Sequence, residues 1–315
     1  MSCIYKGNVV DTDLSRNARG GTEMMRERLL KYVDASLLSK VAVHFSRPRE
    51  VYKDVKNIFY CHDLVGDPEN KVLQNDGWKK FDHFVFVSYW QRDQYILAFR
   101  IPYSKCTVIQ NAVELEHQAV EKPLGRVNFI YHTTPHRGLE LLYPIFDHLS
   151  KSYDVHLDVY SSFKIYGWEQ RDKPYQKLFD ALKKHSKITY HGSVSNEKVL
   201  DALKSAHVFL YPSIWQETSC IAMIEAIKSN VLVIHPTYGA LLETANGATV
   251  PYEFNENVSD HMNAAASITA AVLNSHKNDS QFFNKLIRLD SRKLPLNGIN
   301  NFSRKWNELL RKMNQ

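Results

Sequence analysis

The fold is decided by a strand-to-helix stretch, which reads Trp215-Gln216-Glu217-Thr218-Ser219-Cys220-Ile221-Ala222-Met223-Ile224-Glu225-Ala226. Glu217 stands just before the predicted helix and Glu225 about two turns inside it, so the two carboxylates are roughly 12 Å apart along the helix axis. A carboxylate among Ile, Ala and Met is costly to bury unless a group such as a vicinal diol hydrogen-bonds it. The free N–H groups around Thr218 to Cys220 form a seat for a phosphate anion.

Two glutamates at this spacing also have a structural interpretation. Glu217 then belongs to a helix-capping arrangement, and Glu225 is half exposed beside Lys228, because surface glutamates are ordinary in helices. The flanking sequence favours a functional interpretation. An apolar run that ends in Pro212-Ser213 precedes the stretch, and the loop Pro236-Thr237-Tyr238-Gly239-Ala240 follows the next predicted strand.

Together these features resemble the E-x7-E signature of family 4 of the retaining, nucleotide-sugar-dependent glycosyltransferases. The family's usual Pro-Phe-Gly after the first Glu reads Thr218-Ser219-Cys220 here. The resemblance implies an α/β protein of the GT-B fold, in which two Rossmann-like domains face each other across a cleft and a C-terminal helix crosses back to the first domain. It also implies that Glu225 holds the donor ribose, that Glu217 orients the transferred sugar, and that Thr218, Ser219 and Cys220 contact the donor.

The composition is that of a globular protein. The chain has 315 residues, of which 44% are apolar and 23% charged, enough for two domains of ordinary size. No apolar run approaches the roughly 20 residues that span a bilayer, and residues 1–6 lack the apolar core of a signal peptide, so we expect a cytoplasmic protein. Scattered cysteines predict reduced thiols rather than a disulfide frame or zinc site. They are Cys3, Cys61, Cys106 and Cys220.

The charge distribution is mildly basic. A net charge of +6 suits an anionic substrate and does not indicate nucleic acid. Near the C-terminus, Asp290 and Glu308 stand among a larger set of basic residues. These are Lys285, Arg288, Arg292, Lys293, Arg304, Lys305, Arg311 and Lys312. The first interpretation of this region is a solvated helix face, and the second is a weak peripheral contact with an anionic membrane surface or a lipid-linked acceptor.

The first half of the chain predicts a parallel α/β domain. Apolar runs at residues 41–45, 57–63 and 84–88 alternate with helical patterns, as buried parallel strands do. His62 falls where the second run meets its loop, and ligands bind beyond the carboxyl ends of such strands. A histidine there is either a structural hydrogen-bonding group or a site residue. The resemblance favours the site residue, because related enzymes place a His near the donor sugar.

Two N-terminal motifs bear on ligand binding. Gly20-Gly21-Thr22-Glu23 lead into a helix that we expect to begin near Thr22, and paired glycines let the backbone approach a ligand closely. They resemble the Gly-Gly-Thr-Glu loop of a family 4 subgroup, whose backbone faces the donor. Asp11-Thr12-Asp13 matches the metal-binding Asp-x-Asp pattern of another glycosyltransferase fold, but it lies in a polar turn with no strong strand before it. We therefore expect no essential metal, and no cofactor besides a nucleotide-sugar co-substrate.

The chain divides at a polar stretch that contains Pro and Gly, residues 116–126. Just before it, Asn111-Ala112-Val113 resembles the Asn-Gly-Val with which the family closes its first domain. We predict an acceptor-side domain over residues 1–118, a nucleotide-sugar-binding domain over 127–300, and a helix over 301–315 that packs back on the first domain.

In the second half, Arg137 and Gly138 stand where a predicted strand meets a helix. The structural alternative for Arg137 is an ordinary first-turn residue. A cation there is disfavoured by about 0.3–1 kcal/mol, which itself indicates an anionic ligand. The pair resembles the family's basic-Gly pair, whose cation meets the donor diphosphate, and the Arg fork can bind two phosphate oxygens. The resemblance adds Lys164 as a second cation, and the loops around Lys164 and Gly192 as walls of a base pocket.

The resemblance covers nearly the whole chain. It implies a retaining, metal-independent hexosyl- or pentosyltransferase that moves a sugar from a nucleoside diphosphate sugar to a glycan, lipid-linked or protein-linked acceptor. Its catalytic candidates are Glu217, His62 and Arg137. Two alternatives stay open, a GT-B nucleotide-sugar epimerase or phosphorylase and a catalytically silent carbohydrate-binding protein. The sequence does not specify the sugar, the acceptor, the linkage or the base, whether UDP, GDP or ADP.

Overall fold

The computed structural model describes residues 2–11, 20–48, 50–115, 122–279, 281–282 and 297–315. Contacts divide the chain into two units. The first comprises Met1–Glu114, Glu217–Ile221 and Pro295–Gln315, and the second comprises Leu115–Gln216 and Ala222–Leu294. In the described residues each unit contains a six-stranded sheet, so the predicted α/β class with two Rossmann-like domains is confirmed.

The first unit has a mixed sheet. Its strands are β1 (Ser2–Tyr5), β2 (Asn8–Asp11), β3 (Val41–Phe45), β4 (Lys56–Cys61), β5 (His83–Phe86) and β6 (Cys106–Val108). Its helices are α1 (Gly21–Tyr32), α2 (Ala35–Leu38), α3 (Tyr89–Phe99) and, at the end of the chain, α10 (Ile299–Met313). The strand order is β2-β1-β3-β4-β5-β6, and β3 to β6 run parallel. Every residue of β3 is buried, as expected for a parallel strand with both faces covered.

The edge of this sheet is a hairpin. β1 pairs antiparallel with both β2 and β3. Lys6 and Gly7 connect the two hairpin strands, and both have positive φ angles, 47° and 80°. This is the backbone conformation that suits a tight two-residue hairpin turn. In the sequence these strands appear only as the short apolar pieces Cys3-Ile4-Tyr5 and Val9-Val10, because each edge strand is four residues long.

The C-terminal helix α10 completes the first unit's core. Trp306 is fully buried and meets Tyr60 of β4 edge to face at 5.0 Å between ring centroids. Asn297 donates from Nδ2 to the Asn111 carbonyl at 2.7 Å. The predicted return of the C-terminal helix to the first domain is therefore confirmed. On its outer face Arg304 pairs with Glu308 at 2.7 Å, as a solvated helix face would.

The second unit has an all-parallel sheet. Its strands are β7 (Val127–Tyr131), β8 (Val155–Val159), β9 (Ile188–Tyr190), β10 (Val208–Leu210), β11 (Leu232–Pro236) and β12 (Val250–Tyr252). Its helices are α4 (Leu139–Ser150), α5 (Gln176–Lys184), α6 (Asn196–Ser205), α7 (Ile221–Lys228), α8 (Leu241–Ala245) and α9 (Val258–Asn278). The strand order β12-β11-β10-β7-β8-β9 is that of a doubly wound Rossmann sheet. The order reverses between β7 and β10, and ligands of such sheets bind beyond the strand ends at that point.

Candidate functional site

The loops after β7 and β10 meet at the switch point of the second sheet. Gly138 follows a 3₁₀ turn, Pro135–Arg137, and precedes α4 with φ +105°. A Cβ at Gly138 would lie 2.1 Å from the Pro212 carbonyl oxygen. Because only glycine permits both this φ and this approach, Gly138 lets the two loops meet. Arg137 is half-buried and lies just before α4. It belongs to the second unit, as β10 does.

Gly138→Ala should destabilise the protein by about 3 kcal/mol, through backbone strain and a clash with Pro212. Gly125 is a matched control. Its φ is +95°, but apart from its own chain neighbours no atom of a described residue lies within 4 Å of an added Cβ. Gly125→Ala should therefore cost only about 1 kcal/mol, from strain alone. The free energies of unfolding from urea titrations test this difference. Equal losses would show that the close approach at Pro212 has no energetic consequence.

Three aromatic rings pack together around His136, the residue before Arg137. His136 stacks on Phe163 at 5.2 Å and meets Trp215 edge to face at 4.8 Å. Burial, followed by the charges of Arg137 and Arg171, lowers the pKa of His136 to about 4. The imidazole is therefore neutral at physiological pH. The sequence pattern did not indicate His136 or Trp215 as site residues, although His136 adjoins Arg137 and Trp215 lies two residues before Glu217.

Glu225 is buried on α7, with 4% of its surface exposed. Its neighbours Met223, Ile224 and Ala226 are buried as well. Asn196, the first residue of α6, donates from Nδ2 to Glu225 Oε1 at 3.3 Å. The interpretation of Glu225 as a half-exposed surface residue is therefore wrong. A buried carboxylate needs hydrogen-bond donors to offset the loss of hydration, and a ligand's hydroxyl groups can supply further ones.

The segment Glu217–Ile221 belongs to the first unit. Glu217 is 3% exposed. Thr218 donates from Oγ1 to the His62 carbonyl at 2.9 Å, and a Cβ added at Gly21 would lie 3.0 Å from Ile221 Cδ1. Two predicted residues, Gly21 and His62, therefore lie against the segment Glu217–Ile221, which contains the predicted residue Thr218. Helix α7 begins at Ile221, so the amides of residues 218–220 precede its first turn.

His62 follows β4 at the carboxyl edge of the first sheet. Its amide donates to Ser46 Oγ at 2.8 Å, and its ring lies 4.2 Å from that of Tyr60. The Nε2 atom is buried and makes no hydrogen bond to any residue that the structure describes. Burial lowers the pKa of His62 to about 3, so the ring is neutral. A neutral imidazole can donate to or accept from a hydroxyl group.

Acidification should destabilise the protein partly through His62. Its pKa of about 3 when folded lies below that of an unfolded histidine, about 6.5. This contribution to stability is therefore fully present above about pH 6.5 and is lost as the pH falls towards about 3. At about pH 5 the unfolded protein binds about one more proton at His62 than the folded protein does. His62→Gln should remove the contribution of this proton to the slope of the unfolding free energy against pH. Urea titrations at several pH values measure this slope, and an identical slope in the variant would contradict the assignment.

The remaining predicted residues include Lys164, Gly192, Gly20 and Cys220. Lys164 has an exposed side chain that pairs with Glu169 at 3.0 Å. Gly192 follows β9 with φ +67°. Gly20 is buried at the N-cap of α1, which begins at Gly21 rather than at Thr22. Cys220 is buried before α7.

Some predicted residues lie outside the described part of the chain. They include Thr12 and Asp13 of the Asp-x-Asp motif and the basic residues Lys285, Arg288, Arg292 and Lys293. Within the described ranges, no three or more His, Cys, Asp or Glu side chains are grouped to hold a metal ion. None of the helices seen there combines the length and apolar character needed to cross a bilayer.

Comparison with known proteins identifies the family. Residues 116–282, slightly more than half of the chain, match the sequence profile of the family Glycosyl transferases group 1. The chain belongs to this family. Its two Rossmann-like domains match solved glycosyltransferase structures of the GT-B type, so the predicted GT-B fold is confirmed.

Individual relatives are distant. The chain is 22% identical over 252 residues to the phosphatidylinositol N-acetylglucosaminyltransferase GPI3 subunit of Saccharomyces cerevisiae, a match that covers 75% of this chain and 54% of that protein. The chain thus spans about half the length of this relative. The structure of a glycosyltransferase from Rickettsia africae superposes with a TM-score of 0.68 at 16% identity, over 97% of this chain and 85% of the other. Anabaena HepE, solved in complex with UDP-glucose, has a TM-score of 0.59 at 12% identity, over 91% and 76%.

Proposed function

We propose that the protein is a retaining glycosyltransferase of family 4, which transfers a hexosyl or pentosyl group from a nucleoside diphosphate sugar. The observation that carries the proposal is the burial of Glu225 within an apolar helix face, at 4% exposure. Such a carboxylate accepts hydrogen bonds from the two hydroxyl groups of a ribose, which replace its lost hydration. Family membership and the E-x7-E spacing support the same role.

The donor diphosphate binds at the start of α4 in this proposal. Arg137 lies there, next to the glycine that brings the loops after β7 and β10 together. The guanidinium group neutralises the charge that develops on the leaving diphosphate. The backbone at Gly20 and Gly21, the amides of residues 218–220, and Lys164 are the further donor contacts. The Lys164 side chain is exposed and pairs with Glu169, so it has to change conformation to contact the donor.

The transfer step breaks the bond between the anomeric carbon and the diphosphate oxygen, and the acceptor oxygen attacks the same face of the sugar. The acceptor proton passes to a diphosphate oxygen, so no covalent enzyme intermediate is required. No metal ion takes part in the proposed step, because the Arg137 guanidinium group neutralises the leaving diphosphate. Glu217 orients the transferred sugar and stabilises the positive charge that develops on its ring. His62 hydrogen-bonds the sugar through its buried Nε2 atom. Gly192 borders the base pocket.

The acceptor is a glycan, a lipid-linked sugar or a protein-linked sugar, and the reaction takes place in the cytoplasm. The yeast relative is named for transfer of N-acetylglucosamine to phosphatidylinositol, which favours a lipid-linked acceptor. A basic C-terminal region would help such an acceptor to bind at an anionic membrane surface. HepE was solved with UDP-glucose, which makes UDP-sugars the first donors to test.

A thermal-shift screen tests the donor assignment. UDP, GDP and ADP, each with and without an attached sugar, are added at about 100 times Kd, where the bound ligand raises the melting temperature by about 5 °C. One base should stand out, and EDTA should leave its shift unchanged. Analysis of products without acceptor then separates the alternatives, because an epimerase alters the donor alone. Failure of every nucleotide to stabilise the protein would contradict the proposal and favour a silent carbohydrate-binding protein.

A further inference from the structure

A buried lysine lies at the start of the second unit. Lys122 is 6% exposed, although lysine is almost never fully buried. Its Nζ atom donates to three backbone carbonyls, those of Leu203 at 2.8 Å, Lys204 at 3.2 Å and Ser229 at 2.8 Å. An ammonium group has three N–H donors and no acceptor, so these three oxygens match its full donor capacity.

All three acceptors stand at helix ends. Leu203 and Lys204 lie in the last turn of α6, and Ser229 directly follows α7. The last carbonyls of a helix have no partner within the helix, and they carry partial negative charge. A cation shared by two helix ends therefore fixes them against each other. Burial lowers the pKa of Lys122 to about 7, so the ammonium form prevails at lower pH.

The same two helices meet again at Glu225. Asn196, at the first position of α6, donates to the Glu225 carboxylate on α7. Between the two contacts, α6 extends about 10 Å and α7 about 6 Å. Two contacts at different positions along the helices prevent one helix from sliding along the other. The position of the Glu225 carboxylate consequently depends on both contacts, the one through Asn196 and the one through Lys122.

We propose that Lys122 is a positioning residue for the nucleoside site, and that it acts through the ends of α6 and α7 to hold Glu225 where it accepts the ribose hydroxyl groups. The inference rests on the proposed role of Glu225. Lys122 itself touches neither donor nor acceptor. Its removal should therefore weaken the part of the affinity that depends on the ribose hydroxyl groups, and leave the part that comes from the diphosphate.

The test compares Lys122→Met with Lys187→Met. Lys187 is a matched control, because its Nζ atom also caps the end of a helix in this unit, donating to the carbonyls of Ser150 and Tyr153. Both variants should lose stability. Both variants and wild type are titrated with UDP and with 2′,3′-dideoxy-UDP at about pH 6, where Lys122 is charged. The Kd of the dideoxy analogue divided by the Kd of UDP measures the contribution of the ribose hydroxyl groups. Lys122→Met should bind UDP about tenfold more weakly with a reduced ratio, and Lys187→Met should keep both wild-type values.

The outcomes separate this inference from the proposed function. Wild-type affinity and ratio in Lys122→Met, with a reduced ratio in Glu225→Ala, would overturn the role of Lys122 alone. A wild-type ratio in Glu225→Ala would overturn the ribose assignment itself. Equal losses of affinity in both lysine variants, with unchanged ratios, would mean a general structural role and would also overturn the inference. If Lys122→Met does not fold, Lys122→Gln, which keeps two N–H donors, is measured in the same way.

Discussion

Glu225→Ala should weaken binding of the donor nucleotide by about 100-fold, because the ribose hydroxyl groups lose a charged hydrogen-bond acceptor in a buried place. The carboxylate is 4% exposed and accepts from Asn196, so little water competes for it in the wild-type protein. Isothermal titration with the nucleoside diphosphate identified by the thermal-shift screen gives Kd directly. The maximal rate at saturating donor should fall much less than the affinity.

The control for this change is Glu197→Ala. Glu197 lies in the first turn of α6 and is exposed, so its removal changes the net charge equally without touching the buried carboxylate. Its Kd should stay within about twofold of wild type, the range expected of a screened surface charge. Wild-type affinity in Glu225→Ala would remove the main support for the proposed donor site.

Glu217→Gln should lower kcat by about 100- to 1000-fold while the donor Kd changes little. The substitution keeps the size of the side chain and removes its charge. It therefore acts on the transition state, where positive charge develops on the sugar ring, more than on the ground state. Because Glu217 is 3% exposed, water does not compensate for the lost carboxylate. Initial rates over a range of donor concentrations measure the effect.

The two glutamate variants serve as controls for each other. Glu225→Ala is expected to raise KM and Kd, and Glu217→Gln to lower kcat, so the pair distinguishes donor binding from transfer. A rise in Kd for Glu217→Gln as large as that for Glu225→Ala would mean that both carboxylates only bind the donor. Unchanged kcat in Glu217→Gln would refute its role in transfer.

Local patterns were sufficient to predict the buried parallel strands of the first unit and the burial of Glu225. Apolar runs with polar ends indicated β3, β4 and β5, because parallel strands buried on both faces leave a continuous apolar signature. The spacing of Glu217 and Glu225 around an apolar helix pointed to a buried carboxylate, and Glu225 is buried. The helix begins later than predicted, because Glu217 was expected just before its first residue and α7 begins at Ile221.

Other features depend on contacts between distant parts of the chain. Gly138 faces the Pro212 carbonyl across 74 residues, so its sequence neighbours could not reveal why glycine is required. The same applies to His136, which packs between Phe163 and Trp215. The β1–β2 hairpin was missed for a different reason, because strands of four residues give little periodicity.

Lys122 shows most clearly what local sequence patterns do not predict. In the sequence it is one lysine in a polar stretch predicted as a linker, where exposure is the expectation. Its carbonyl partners are 81 to 107 residues away. Only the packing of α6 and α7 shows that this position is buried and holds two helix ends.

The central claim is that the Glu225 carboxylate binds the ribose hydroxyl groups of the donor. The most direct test is a cycle of four titrations, in which wild type and Glu225→Ala each bind the preferred nucleoside diphosphate and its 2′,3′-dideoxy analogue. Wild type should bind the analogue about 100-fold more weakly, whereas Glu225→Ala should bind both ligands with nearly equal affinity. The same discrimination in both proteins would contradict the claim.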